Sequence, residues 1–469
     1  VGRTLSQQLA EFIAGLKVED CPPAVIDKAK AVLLHGLVVG LASLDDPDVA
    51  LGRAAIAEDT GRGARLLGFG TPASRVDAAF VNSLLLHARG QDDSYRMLTH
   101  PGPVVLPAAL AEGEGRGQDG RALLAAIIAG YEVQCRLAAD VVPAIQDRGF
   151  RSSALFGVFG ATVAAGRIRG LSAEQLAHAL ALASAVAAGG LEPSRVGTRE
   201  MTFQEPLLCA TGIRVARLAQ LGATGAASCL EGPAGFYATF AGTTGGELPA
   251  SFHGERSWES AQVVAGLGER WELLGVTMKI YSTAGFNQPV IEAVATLART
   301  YDLTAEQVAR IDIEMNPWEV FYPAPRFARA GTHLGASFGS TRYFAASALL
   351  ARGYPSTGRR LAYGGSTGAP ADPPELEALI ARTQVRAGDR RQYAPRVTIE
   401  TTGGQRYVHE MTGDEFKWDF ATERQRVAAL LPALPLPPDQ LERLIDQVAT
   451  LERCPTVDAL VDLTVVPSR

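Results

Sequence analysis

Apolar residues recur at three- and four-residue spacing through most of the first half of the chain, the period of a helix with one buried face. In TLSQQLAEFIAGL, Leu9, Phe12, Ile13 and Leu16 share that face, and Thr4 stands three residues ahead of Gln7 as in a capping box. The same period runs through VIDKAKAVLLHGLVVGLASL and RVDAAFVNSLLLHARG. DGRALLAAIIAGYEVQCRLAADV is apolar on nearly every side, which predicts a helix enclosed by others. Ser172 with Gln175 opens a further helix, SAEQLAHALALASAVAAGG, that closes in glycines. ALFGVFGATVAAGRIRG alternates glycine and alanine with bulky groups. Small side chains let helices approach closely, so these glycines are expected to serve packing.

The pattern changes near residue 270. WELLGVTMKIYS and VARIDIEMNP hold short β-type runs, and helical stretches such as PVIEAVATLARTY and STRYFAASALLARG lie around them. APRVTIETTGGQRYVH predicts a hairpin turning at Gly403-Gly404, and TERQRVAALL and PPDQLERLIDQVATL return to helix. The fold expected is mainly α. A large all-helical domain spans 1–270, a smaller α+β domain spans 271–409, and a helical segment, 410–469, returns to the first. The Pro/Gly-rich residues 364–374 are expected to form a surface loop.

Composition narrows the function. A net charge of −6 leaves no basic surplus to neutralise a nucleic-acid backbone, although a local cation cluster can still hold a small anion. Lysine is rare: Lys17, Lys28, Lys30, Lys279 and Lys417 stand among arginines, which draws attention to those outside the amino-terminal helix, Lys279 and Lys417. The cysteines are scattered without CxxC or histidine at ligand spacing, the usage of a reduced, cytoplasmic protein with no structural zinc. No secretory pattern opens the chain, and the apolar run Leu123 to Tyr131 is too short for a bilayer. Neither a GxGxxG after a strand nor a GxxxxGKS/T is present, so nucleotide binding has no support.

Ionisable chemistry concentrates in GQDDSYRMLTHPGP, residues 90–103, between two helical stretches. Asp92, Asp93, Ser94 and His100 fit either a capped polar loop or half of an active site, where histidine carries a proton near neutral pH and a carboxylate fixes its tautomer. Spacing alone does not choose between them.

DDSYRMLTHPG resembles the DDT and HPS/HPG signature of the MmgE/PrpD family, whose members include 2-methylcitrate dehydratase, cis-aconitate decarboxylase and iminodisuccinate epimerase. The likeness continues in RGFRSSALFGVFGATVAAGRIRGLSAEQLAHALALA, GIRVARLAQLGATGAASCLEGPAGF, KIYSTAGFNQPVIEA and STRYFAASALLARG. It implies a helical domain with a smaller lid domain, a homodimer, a site in the cleft between the domains, and neither an organic cofactor nor a metal. In that likeness Ser94 stands for the DDT threonine, His100 for the HP histidine and Lys279 for the lid lysine. His100 is then the proton carrier, Asp93 or Asp92 orients it, and Lys279 meets charge that develops next to a carboxylate.

The departures are informative. Arg151 stands where many relatives have histidine, Gln288 replaces a second lid histidine, and Arg342 replaces a proline. Near the usual basic residue the chain reads GTREMTFQEPLLCATG, with Met201 or Phe203 in its place and Arg199 and Glu205 nearby. A guanidinium does not release its proton at working pH, so Arg151 and Arg342 are expected to hold carboxylates or to form structural ion pairs. Trp318 and Tyr322 are candidates for an aromatic lid wall or for core packing. His35, His87 and His178 read as core or surface histidines within helices, and His333 as a lid residue able to face the cleft.

The expected function is a cofactor-independent lyase or isomerase/epimerase that moves a proton next to a carboxylate of a small di- or tricarboxylate. The competing reading is a non-catalytic polycarboxylate-binding protein on the same scaffold.

Overall fold

In the computed structural model, which describes residues 2–59, 61–252, 254, 256–327, 340–354, 373–430 and 434–467, the helix Ser152–Ile168 lies at the centre of a bundle. Helices Gly102–Gly113, Gly120–Ala138, Ala173–Val186 and Glu200–Gln220 pack around it. Missing side chains make the closeness possible. A Cβ on Gly160 would stand 2.1 Å from Gln134 Oε1, and one on Gly212 would stand 2.6 Å from the Ala161 Cβ and 2.9 Å from Thr162 N. The glycines of ALFGVFGATVAAGRIRG therefore serve packing, as their alternation implies. Helix starts follow the sequence signals: Thr4 with Gln7 and Ser172 with Gln175 each form a reciprocal capping box.

The second half is built on a four-stranded sheet ordered Thr383–Ala387, Val308–Met315, Arg396–Thr401, Arg406–Glu410. The first pair runs parallel and the others antiparallel. The helix Asn287–Thr300 packs on the last two strands, and Thr341–Ala351 packs on that helix and on Thr383–Ala387. Helices Phe420–Leu430 and Pro438–Ala449 return to Pro23–Leu41, and Val457–Asp462 reaches Gly102–Gly113. Buried apolar side chains form one continuous cluster from Leu5 to Val461, so the sheet and the bundle share a core. No helix among the described residues is long and apolar enough to cross a membrane.

The fold is mainly α with a smaller α+β part, and the 403–404 hairpin and the Val308–Met315 strand are present. Three details differ. The first 270 residues are not all helix, because two antiparallel ribbons, Ala64–Arg65 with Pro72–Ala73 and Gly245–Glu247 with Ser257–Glu259, lie among them. WELLGVTMKIYS is no strand: it begins as a 3-10 turn, Glu272–Gly275, and pairs through Thr277 with Ser94 alone. Strand Thr383–Ala387 carries no sustained alternation and is held by its parallel neighbour. His333 and residues 364–372 lie outside the described residues.

Candidate functional site

The helix Arg75–His87 starts at Ser74, whose hydroxyl accepts from Asp77 N, and it ends on His87. Gly90, at φ 61°, turns the chain. Ser94 then pairs with Thr277 through main-chain bonds of 2.7 and 2.8 Å, which joins this loop to the Lys279 segment. A tight turn closed by Tyr95 and Thr99 leads back to His100 and into the helix Gly102–Gly113.

The chain bends at Asp92, and the two aspartates turn to different partners. Asp93 turns towards the bundle, where Oδ1 accepts from Gly102 N at 2.8 Å and Oδ2 from the Tyr131 hydroxyl at 2.6 Å. Burial pushes its carboxyl above the usual range against those two bonds. Asp92 is the meeting point of the charges. Its Oδ1 lies 3.0 Å from Lys279 Nζ, and its Oδ2 lies 3.1 Å from His100 Nδ1 and 3.3 Å from His87 Nδ1. Burial opposes its charge, but Lys279, His100 and His87 together hold the carboxyl well below the usual range.

The tautomer of His100 follows from its neighbours. Nδ1 lies 2.9 Å from the Asp93 carbonyl oxygen, which can only accept, so Nδ1 carries the proton. In the neutral ring Nε2 is then the basic nitrogen, and among the described residues it receives no hydrogen bond. The His100 side chain is 11% exposed, whereas Asp92 and Lys279 are each 2% exposed. The proton-carrying atom thus belongs to the most open member of the cluster. Lys279 spends two of its three N–H bonds on Asp92 and on the Gly90 carbonyl, at 3.1 Å.

A second buried pair adjoins the first. Arg151 NH1 donates to Glu205 Oε2 at 2.5 Å and to Gln204 Oε1 at 3.2 Å. Burial opposes the charge on Glu205, but Arg151 and His87 lower its carboxyl to about 2. His87 Nε2 stands 3.5 Å from the same Glu205 oxygen, and its ring centroid is 5.7 Å from that of His100. His87 therefore joins Asp92 to Glu205. Tyr322, raised above its ordinary pKa by burial with Arg151, Ser194 and Glu205 as neighbours, rests on Phe286 with ring centroids 5.4 Å apart.

The structure thus brings His100, Asp92 and Lys279 together and sets Arg151 and Tyr322 beside them. Other expectations need correction. Asp93 meets His100 through its main-chain carbonyl, while its carboxylate is taken by Gly102 and Tyr131. Ser94 Oγ donates to the Met97 carbonyl at 3.1 Å, within the turn that leads to His100. Gln288 Oε1 accepts from Ile280 N and Tyr281 N, and its Nε2 donates to the Tyr281 carbonyl, so its amide shapes the Lys279 segment instead of facing a ligand. Arg342, half-buried near the start of Thr341–Ala351, makes no ion pair among the described residues. Arg199 pairs with Asp48, and Trp318 Nε1 bonds the Ser251 carbonyl in the core.

Sequence reasoning read His87 as a core or surface histidine and Glu205 as a lesser candidate in the rewritten segment; the structure buries His87 between Asp92 and Glu205. The available signal was the position of His87 at the end of its helix, five residues before Asp92. His35 is also more than a core residue. Its Nε2 lies 2.8 Å from the Gln91 carbonyl and its Nδ1 3.0 Å from Glu423, so it supports the loop from behind. No three His, Cys, Asp or Glu side chains among the described residues are grouped to hold a metal ion.

Comparison with known proteins agrees with the sequence signature. The MmgE/PrpD N-terminal domain profile matches residues 7–248. Cis-aconitate decarboxylase of Aspergillus terreus (strain NIH 2624 / FGSC A1156) is 25% identical over 306 residues, which cover 63% of this chain and 61% of that protein. The cis-aconitate decarboxylase-like protein oryM of Aspergillus oryzae is 26% identical over 307 residues, 63% of this chain and 62% of its own. Cis-aconitate decarboxylase of Homo sapiens is 30% identical over 260 residues, 53% of each chain. The matches therefore span about three fifths of the Aspergillus relatives and about half of the human one.

Proposed function

The chain belongs to the MmgE/PrpD family, and from that premise we propose that it is a cofactor-independent lyase acting on a small di- or tricarboxylate, with His100 moving a proton at a carbon next to a carboxylate. The relatives named as decarboxylases support lyase chemistry. The observation that carries the reading is the fixed tautomer of His100, whose Nδ1 is held by Asp93 O and Asp92 while Nε2 receives no bond among the described residues.

Removing a proton beside a carboxylate places charge on oxygens that are already anionic, and a fixed cation lowers that barrier. Lys279 supplies it with the N–H that neither Asp92 nor Gly90 takes. In a decarboxylation the C–C bond to the departing carboxylate breaks, CO2 leaves, and its electron pair settles on the conjugated system. His100, protonated from solvent at Nε2 before the bond breaks, gives that proton to carbon and is left neutral. A single titrating group at the open end of the cluster is enough for that sequence, and also for exchange of a carbon-bound proton with solvent, whereas epimerisation requires in addition that the proton return to the opposite face of the carbon. Dehydration asks in addition for an acid at the leaving hydroxyl. In this proposal residues 271–409 act as a lid over a wall made by 1–270 and 410–469, and two copies associate.

One observation favours binding without turnover: Lys279 and Arg151 are each already paired with a buried carboxylate. A thermal-shift screen with citrate, 2-methylcitrate, cis-aconitate and hydroxydicarboxylates, followed by CO2 release and solvent exchange in heavy water, separates the readings. Turnover or exchange lost in His100→Ala, with the fold and ligand shift retained, supports the enzyme. Binding without exchange or turnover in the unmodified protein overturns it.

A further inference from the structure

The segment between strands Thr383–Ala387 and Arg396–Thr401 reaches the loop that carries His100. Its Tyr393 is buried, and the phenol is hydrogen-bonded with Ser94 and Thr277. Those two hydroxyls spend their own protons on the carbonyls of Met97 and Ser94, so the phenol is the donor. A Cβ on Gly285 would stand 2.5 Å from Tyr393 Oη, so the phenol also rests on the segment that follows Lys279. We propose that Tyr393 is a positioning residue for His100 and Lys279, seated on the Ser94–Thr277 junction by Glu319. The proposal rests on the lyase reading above and adds residues of the sheet half to its machinery.

The junction is where a positioning group has the most effect. Ser94 and Thr277 exchange main-chain bonds of 2.7 and 2.8 Å. Asp92 lies two residues before Ser94, and Lys279 lies two after Thr277. The Asp93 carbonyl beside Ser94 meets His100 Nδ1. One pairing therefore sets both the 3.0 Å contact of Asp92 with Lys279 and the direction of the His100 ring. Misplacing a reacting group by about 1 Å can cost about a hundredfold in rate.

Glu319 holds Tyr393 from the other side. Tyr393 stands at φ 60°, a left-handed conformation that is costly for a residue other than glycine. Its N–H donates to Glu319 Oε1 at 2.7 Å, from the short helix Pro317–Val320. Glu319 is fully buried, and its Oε2 has no hydrogen-bond partner among the described residues. Nor do the elements packed on that helix offer it a cation among the described residues. Arg386 pairs with Glu314, Arg390 with Glu410, and Arg391 reaches Asp414. The titratable group coupled to it is the Tyr393 phenol. Burial pushes the Glu319 carboxyl up to about 8, against the N–H groups of Tyr393 and Asn316. At neutral pH Glu319 is thus an uncharged acceptor for Tyr393. Ionisation at that buried place draws the carboxylate towards water and leaves the Tyr393 backbone unheld.

The first test needs no substrate. Amide hydrogen exchange at Ser94 and Thr277, corrected for intrinsic rates, should be about tenfold faster in Tyr393→Phe than in the parent at pH 7. In the parent it should accelerate above pH 8, and in Glu319→Gln it should stay slow. The folded state keeps the Glu319 proton between pH 4.5 and about 8, where the unfolded chain has lost it, so stability falls as pH rises through that window. Glu319→Gln should therefore melt above the parent, by a gap that widens from pH 5 to 8. The second test is CO2 release from cis-aconitate. Tyr393→Phe should lower kcat about tenfold with KM within about threefold, and Glu319→Gln should move the alkaline limb of the parent's pH profile upward by at least one unit. Unchanged amide protection or unchanged kcat in Tyr393→Phe overturns the proposal, as does an alkaline limb or a melting gap that Glu319→Gln leaves where it was. Protection lost in Tyr393→Phe while the parent releases no CO2 supports the hold of Tyr393 on the junction and counts against the lyase reading instead.

Discussion

Replacing Glu205 by glutamine removes one charge from a buried pair and keeps nearly all of its volume. Arg151, Glu205 and His87 are 4%, 0% and 0% exposed, so solvent cannot replace what is lost. Burial opposes the Glu205 charge, yet Arg151 and His87 hold its carboxyl at about 2 against an ordinary 4.5. At neutral pH that difference stabilises the folded state by about 3 kcal/mol. Breaking a buried ion pair by removing one partner costs about 3–5 kcal/mol, which agrees in scale. An unfolding entropy of about 2.1 cal/mol/K per residue gives about 1 kcal/mol/K for a chain of this length. The midpoint of Glu205→Gln should therefore fall by about 3 °C at pH 7.5.

The pH dependence has a definite sign. Because the folded pKa is depressed, the contribution is complete above 4.5 and disappears as pH falls towards 2. Scanning calorimetry should show the gap between variant and parent narrowing below about pH 4.5. The double replacement Arg151→Met with Glu205→Leu removes both charges and should recover most of the loss, since apolar residues of similar volume often replace buried pairs at little cost. Equal midpoints for Glu205→Gln and parent at pH 7.5, or a double variant as unstable as the single one, would refute the reasoning.

Asp92→Asn should both destabilise the fold, by about 3 kcal/mol on a calorimetric midpoint, and reduce His100-dependent exchange at least 100-fold, because Lys279 and His100 lose their shared carboxylate. Asp93→Asn should cost only about 1 kcal/mol and keep exchange within about tenfold, since an amide oxygen still accepts from Gly102 N and the main-chain carbonyl still holds His100. Burial lowers and Glu423 raises the pKa of His35, with a net rise above 6.5. Its stabilisation is thus complete below 6.5 and is lost as pH rises through the folded value, so the midpoint gap between parent and His35→Gln should shrink on the alkaline side. Gly212→Ala should lower stability by about 1–3 kcal/mol in a denaturation curve, because its Cβ meets the Thr162 main chain, which cannot step aside.

How far the site is legible in the sequence depends on how local its chemistry is. His100 and the paired aspartates stand out because they crowd one loop, and Lys279 stands out because lysine is scarce in this chain. His87 follows the same helical period as the leucines beside it, and nothing in that period tells a buried leucine from a histidine between two carboxylates. Glu205 acquires meaning only when the helix Glu200–Gln220 packs beside Ser152–Ile168 and meets Arg151, a tertiary contact across 54 positions. Arg151 itself reads as a cation ready for a ligand until that partner is seen. The helical half is legible through its period and caps, whereas strand Thr383–Ala387, with one buried position in five, exists through its neighbour.

The division of labour between Asp92 and Asp93 shows the limit most sharply. The two carboxylates turn to different partners around a bend at Asp92, and which of them goes where is not written in DDSY. It is set by the main-chain pairing of Ser94 with Thr277, a residue far along the chain, and by Gly102, where a Cβ would stand 2.8 Å from Asp93 Oδ1. The pair of single variants above tests that division directly: if Asp93→Asn, and not Asp92→Asn, abolished exchange, the pairing that fixes the cluster would be wrong.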